Sequence, residues 1–138
     1  MTTTKRTISG ARARRKSSEE SFRLLLVEDD DLVAAGLTTL LELEGFTVLT
    51  IDRGLAVVEA IKSFKPHVVI LDLTLPDLDG IEVFRRLRKR WPDLPVVFST
   101  GNGSSVNLTA ELKRERVELL RKPYEIKELL AALQRITK

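Results

Sequence analysis

Five side chains, far apart in the sequence, have the types needed to handle a phosphoryl group: Glu28, Asp29, Asp72, Thr100 and Lys122. Each follows a short apolar run. Leu24-Leu-Leu-Val27 leads into Glu28-Asp29-Asp30-Asp31, and Val68-Val-Ile-Leu71 leads into Asp72. Val96-Val-Phe98 leads into Ser99-Thr100-Gly101, and residues 117–120 lead into Lys122-Pro123. Uninterrupted apolar runs of this length read as strands covered on both faces, which is the habit of a parallel sheet. In an open parallel sheet, ligands gather beyond the carboxyl ends of the strands. Taken alone, Asp72 reads equally well as a cap for the Pro-, Asp- and Gly-rich turn that follows it. The arrival of the other four residues at the same mouth separates the two readings.

The chemistry follows from charge. Clustered carboxylates repel one another unless a cation sits among them. Oxygen ligands without His or Cys suit Mg²⁺, or Mn²⁺ in its place, a cation that favours one or two carboxylates plus waters and phosphate oxygens. A metal on Glu28 (directly or through water) and Asp29, shared with Asp72, would neutralise a phosphoryl group in transfer. A carboxylate is also a competent nucleophile toward phosphorus, and Asp72, the central acid, is the expected acceptor. The Lys122 ammonium is a compact partner for phosphoryl oxygens. The Thr100 hydroxyl is placed to donate to the same oxygens and to move when they arrive.

The rest of the chain must position these groups. Between the strands lie helical patterns: Val33, Leu37, Leu40 and Leu41, closed by Gly45, and then Val57, Ala60, Ile61 and Phe64. A third has Val83, Phe84, Leu87 and Trp91 inside and Arg85, Arg86, Arg88 and Lys89 outside. A weaker fourth spans 103–114 with Val106, Ala110 and Leu112, and the last carries Ile126, Leu129, Leu130 and Leu133. A more polar strand runs from Phe46 to Ile51. Five strands alternating with five helices predict a doubly wound α/β fold, a five-stranded parallel sheet of order 2-1-3-4-5, with the switch point between strands 1 and 3.

Bulk properties narrow the field. The 138 residues suffice for one domain with a real core. There is no Cys, and the single His67 excludes a His-based zinc site. No apolar run approaches the ~18 residues of a membrane span, and no secretory signal core is present near the start, so the cytoplasm is the expected compartment. The net charge of +3 is uneven: residues 1–21 hold six basic and two acidic residues, the remainder seventeen and eighteen. Residues 1–21 therefore read as a basic, disordered tail, and residues 22–138 as the folded domain.

Val27-Glu-Asp-Asp30, Leu71-Asp-Leu-Thr-Leu-Pro-Asp-Leu-Asp-Gly80, Pro95-Val-Val-Phe-Ser-Thr-Gly101 and Arg121-Lys-Pro-Tyr124 together resemble the receiver domain of bacterial two-component response regulators, a flavodoxin-like fold. The resemblance covers about residues 22–137. It implies that Asp72 accepts phosphate from the phosphohistidine of a sensor histidine kinase or phosphotransfer protein. It implies Mg²⁺ on Glu28, Asp29, Asp72 and the backbone carbonyl of Thr74, a switching Thr100, and a cis bond between Lys122 and Pro123. The implied protein is a switch that assists its own phosphorylation and dephosphorylation, not an enzyme acting on a separate substrate. Two positions depart from the family pattern. Leu119 stands where a switching aromatic ring is usual, and Glu115-Arg116-Val117 where Gly-Ala is common before the fifth strand.

Other residues have plainer readings. Asp30 and Asp31 start the first helix, and Asp77 and Asp79 serve the turn and cap before the third. His67 opens a strand at the end away from the site, Trp91 packs there, and Tyr124 is a packing residue. With a residue or two left after the last helix, the expectation is a stand-alone receiver without a DNA-binding domain. Output then passes through a downstream effector protein or onward phosphotransfer. A monomer, or a homodimer through helix 4, strand 5 and helix 5, fits this. Competing functions are a receiver-like binding module that takes no phosphate and, less well supported, an aspartyl-phosphate phosphatase. Against the phosphatase, Thr74 stands where such enzymes commonly carry a second Asp. A nucleotide-binding domain would want a Gly-rich loop where Glu28-Asp29-Asp30-Asp31 stands.

Overall fold

A computed structural model describes residues 21–101, 109–113 and 116–137. Five strands form one parallel sheet: β1 (Phe22–Val27), β2 (Phe46–Ile51), β3 (Val68–Asp72), β4 (Val96–Thr100) and β5 (Val117–Arg121). Their order is β2-β1-β3-β4-β5, as the alternation of runs predicts. Helices α1 (Asp31–Leu43), α2 (Val57–Phe64), α3 (Gly80–Arg90), the short α4 (Thr109–Leu112) and α5 (Ile126–Ile136) connect them, with a helical turn at Gly54–Ala56 before α2.

The two sheet faces carry separate cores. Leu25, Val27, Val69, Leu71 and Phe98 point to the side of α2 and α3, where they meet Val57, Ile61, Phe84 and Leu87. Leu24, Leu26, Val68, Ile70 and Val97 point to the side of α1 and α5, where they meet Leu41, Leu129 and Leu133. This alternation is the period-2 geometry of a strand buried on both sides. Every residue of β3 and β4 is buried, whereas β2 and β5 at the edges are only partly so. The polar ends of β3 and β4 are thereby held on rigid central strands.

Local chemistry sets the helix boundaries. Asp30 caps α1, its Oδ1 accepting from Leu32 N at 3.0 Å and Val33 N at 3.1 Å. Gly45, at φ 100°, takes the left-handed turn out of α1. Asp79 caps α3 by accepting from Ile81 N at 2.8 Å.

Three sequence expectations need correction. In α1 the core side is Ala34 and Leu41, whereas Val33 and Leu40 are exposed. This helix is apolar nearly all round, so periodicity could not fix its rotation, and small Ala34 allows the close approach to the sheet. Arg88 is not on the solvated face of α3 but buried. Its guanidinium lies 4.9 Å over the Phe84 ring, and Nη1 donates to Trp91 O at 3.0 Å and Leu94 O at 2.6 Å. A long side chain with a forked head can cover apolar surface and still serve carbonyls of the loop after the helix. Asp77, read as a residue of its own turn, spans beyond it to the β2–α2 connection.

The tail expected over residues 1–21 lies, apart from Ser21, outside the described residues, as do residues 103–108 and 114 of the expected fourth helix and Glu115. Among the described residues, no helix is long and apolar enough to cross a membrane.

Candidate phosphoacceptor site

Register brings the expected residues together. Val27 pairs with Leu71, so Glu28 and Asp72 leave adjacent strands at the same level. Asp72 pairs with Ser99 of β4, which places Thr100 one residue beyond. Thr100 pairs with Arg121, and Lys122 N donates to Thr100 O at 2.7 Å, which carries Lys122 to the same mouth. The peptide bond between Lys122 and Pro123 is cis.

The side chains then meet. Lys122 Nζ donates to Glu28 Oε1 at 2.9 Å and to Asp72 Oδ2 at 3.1 Å, bridging residues 94 and 50 positions away in the chain. Glu28, Asp29 and Asp72 each offer a carboxylate oxygen, and these lie within 4.8 Å of one another. Glu28 and Asp72 are buried, and Asp29 is exposed at the rim. Three carboxylates against one ammonium leave the cluster with an excess of two negative charges, which matches a divalent cation. The all-oxygen donor set is the type that hard cations such as Mg²⁺ prefer.

The protonation energetics agree. Burial, joined by the neighbouring Asp72 charge, pushes the Glu28 carboxyl above its ordinary range, while the Lys122 ammonium and the Asp30 amide offset this in part. Burial pulls the Lys122 ammonium down, but its bonds to Glu28 and Asp72 outweigh that and hold it above its ordinary range. Burial likewise pushes up the phenol of Tyr124, which packs half-buried against the core on the α1 and α5 side. The Thr100 hydroxyl is buried with no hydrogen-bond partner among the described residues. A buried hydroxyl without a partner carries a desolvation cost, and an arriving acceptor would relieve it.

The loop after Asp72 is shaped by close contacts. Thr74, exposed, donates its N–H to Asp72 Oδ1 at 2.9 Å, and Leu73 N donates to Ser99 O at 2.9 Å. A Cβ on Gly80 would lie 2.6 Å from Leu73 Cα and 3.0 Å from Asp72 O, so only glycine lets α3 start this close to Asp72. His67 lies at the other end of the sheet, where its Nδ1 accepts from Arg23 N at 2.9 Å. Trp91 lies at that end too, half-buried, lining a hollow with Ile61, Pro66 and Leu94. Sequence reasoning missed the spans of Arg88 and Asp77, because both depend on which loops become neighbours.

Residues 24–134 match the response regulator receiver domain family. This chain belongs to that family. The receiver is similar to the Escherichia coli (strain K12) transcriptional regulatory protein CreB, 34% identical over 102 residues, which are 74% of this chain and 44% of that protein. It is similar also to response regulator MprA of Mycobacterium ulcerans, 36% identical over 94 residues, 68% of this chain and 40% of that protein. The chain thus spans less than half the length of these curated relatives. Among solved structures, the BeF3-activated N-terminal receiver domain of Klebsiella pneumoniae RstA superposes with a TM-score of 0.76 at 30% identity, covering 84% of this chain and 98% of that one. A putative response regulator from Chloroflexus aurantiacus J-10-fl superposes with a TM-score of 0.77 at 29% identity, covering 86% and 98%. Receiver domains of this family are phosphoacceptor switches of two-component systems, and the sheet order is that of their flavodoxin-like fold.

Proposed function

We propose that this receiver takes its phosphoryl group on Asp72, from the phosphohistidine of a sensor histidine kinase or phosphotransfer protein, in a Mg²⁺-dependent reaction in the cytoplasm. The observation that carries the reading is the Lys122 bridge between Glu28 and Asp72, with Asp29 at the rim. One cation already holds the acceptor carboxylate in place, and the charge left over asks for a second. Glu28, Asp29, Asp72 and the Thr74 carbonyl would hold Mg²⁺, which supplies neutralisation of the phosphoryl oxygens.

In the transfer, an Asp72 oxygen forms a bond to phosphorus while the phosphorus–nitrogen bond to the donor imidazole breaks. The electron pair of that bond stays on the imidazole nitrogen, and the ring leaves as neutral imidazole because its other nitrogen carries a proton in the phosphohistidine donor. Lys122 then pairs with a phosphoryl oxygen in place of the Asp72 carboxylate. The Thr100 hydroxyl gains the acceptor it lacks, and its movement would carry the signal toward β5. With Leu119 in place of an aromatic ring, that signal is read on the α4–β5–α5 surface by a downstream effector protein, by onward phosphotransfer, or by a second receiver.

The test is intact mass after incubation with acetyl phosphate and Mg²⁺, beside an Asp72→Asn variant. One phosphoryl gain is expected in the parent and none in the variant. Equal uptake by the variant would move the acceptor elsewhere.

A further inference from the structure

One carboxylate outside the acidic cluster has both oxygens committed to backbone. Asp77 Oδ1 accepts from Gly54 N at 2.7 Å, and Oδ2 accepts from Leu55 N at 2.8 Å. These amides open the helical turn Gly54–Ala56 before α2, and Arg53, in the capping position there, makes no side-chain cap bond. The cap comes instead from the loop between β3 and α3. Desolvation pushes the Asp77 carboxyl up, but the amides of Leu55 and Gly54, joined by its own amide and the Arg53 charge, together outweigh it and hold the carboxyl below its ordinary range. The joint is also closed sterically: a Cβ on Gly54 would lie 2.6 Å from Val83 Cγ2 and 3.1 Å from Leu78 Cβ.

The loop joined in this way is the one that carries Thr74. Its ends are fixed by Leu73 N to Ser99 O at 2.9 Å and by Gly80 N to Leu73 O at 3.3 Å. Between them, Thr74 N holds Asp72 Oδ1, and Asp77 makes the loop's bond to the neighbouring β2–α2 connection. A carbonyl on a surface loop is a useful ligand only if its position is held before the ion arrives, because ordering it on binding costs affinity. Groups that hold a ligand in this way commonly change metal affinity by 10–100-fold when removed.

We propose that Asp77 is a positioning residue for the divalent-cation site, anchoring the Thr74-bearing loop to the Gly54 and Leu55 amides so that Thr74, whose N–H meets Asp72, is held in place to offer its carbonyl to the cation. This rests on the reading of those residues and Thr74 as the Mg²⁺ site. Asp77 acts through the loop and does not touch the ion.

Calorimetric titration of the whole chain with Mg²⁺, parent against Asp77→Asn, tests it at low salt and again at about 0.5 M salt, where long-range charge effects are screened. The asparagine keeps one acceptor oxygen and turns an NH₂ group toward the second amide. An affinity loss of about tenfold at both salt concentrations is expected, in a variant whose circular dichroism matches the parent. Unchanged affinity would overturn the role. A loss seen only at low salt would overturn it too, since charge alone would then be the cause. If the parent binds no Mg²⁺, the site reading itself fails and the inference falls with it; parent binding with an unaffected variant removes the inference alone.

Discussion

The two ends of this one sheet solve opposite problems. At the amino end, charge serves neutral partners. Arg23 Nε donates to Phe64 O at 3.0 Å and Lys65 O at 2.9 Å, capping the exit of α2. His67 Nδ1 accepts from Arg23 N, and its ring stacks on Phe22 at 4.7 Å. At the carboxyl end, Glu28 and Asp72 are buried beside Asp29 with Lys122 bridging two of them. The first end is complete without a ligand. The second keeps three carboxylates against one ammonium, and on the function proposed above a dication and a phosphoryl group would complete it. A fold whose strands all run the same way separates stability from reactivity by putting them at opposite ends of the same strands.

The largest effect should come from breaking the charged end. Lys122→Ala leaves Glu28 and Asp72 without their ammonium, and the rate of phosphoryl uptake from acetyl phosphate should fall about a hundredfold. Arg23→Ala in the same assay should leave the rate unchanged; an equal loss would erase the division of labour between the ends. Mg²⁺ should stabilise the fold by about 2.7 kcal/mol at a hundredfold excess over its Kd, read as a rise in melting temperature that chelator reverses. The Arg23→Ala variant should keep that rise, while Asp72→Asn should lose much of it.

Smaller effects sharpen the contrast. Arg23→Ala should cost about 1–2 kcal/mol in denaturant unfolding, since two helix-terminal carbonyls lose their donor. Glu28→Gln should do the reverse without metal, raising stability at neutral pH by less than about 1 kcal/mol. The sign follows from linkage. The folded-state pKa of Glu28 lies above the ordinary value of 4.5, so its favourable contribution is full below 4.5 and is lost as pH rises through the folded value. The parent should therefore lose metal-free stability over that rise, and the glutamine variant should not show this loss.

Much of this was legible in the residues. Four apolar runs ending in Glu28, Asp72, Thr100 and Lys122 suffice to predict central strands and a common mouth, because strand burial and strand direction are written in local composition. Asp30 and Asp79 were legible as caps because a cap acts within three residues of itself. Arg88 was not legible: a charged residue on a helix reads as solvated unless the loop that needs its donors is known. Asp77 was misread for the same reason, since the amides it binds belong to a connection 22 and 23 residues away.

The sequence by itself determined the order of elements, which strands are central, and which chemical groups reach the carboxyl edge. Those properties depend on periodicity and on residue type, and both are local. Only the tertiary structure decided that Lys122 bridges Glu28 and Asp72, that α1 seats Ala34 and Leu41 instead of Val33 and Leu40, and that Asp77 joins two loops. Each depends on the register between strands and the packing of helices across the sheet, and these distances arise only when distant parts of the chain are brought within hydrogen-bond reach.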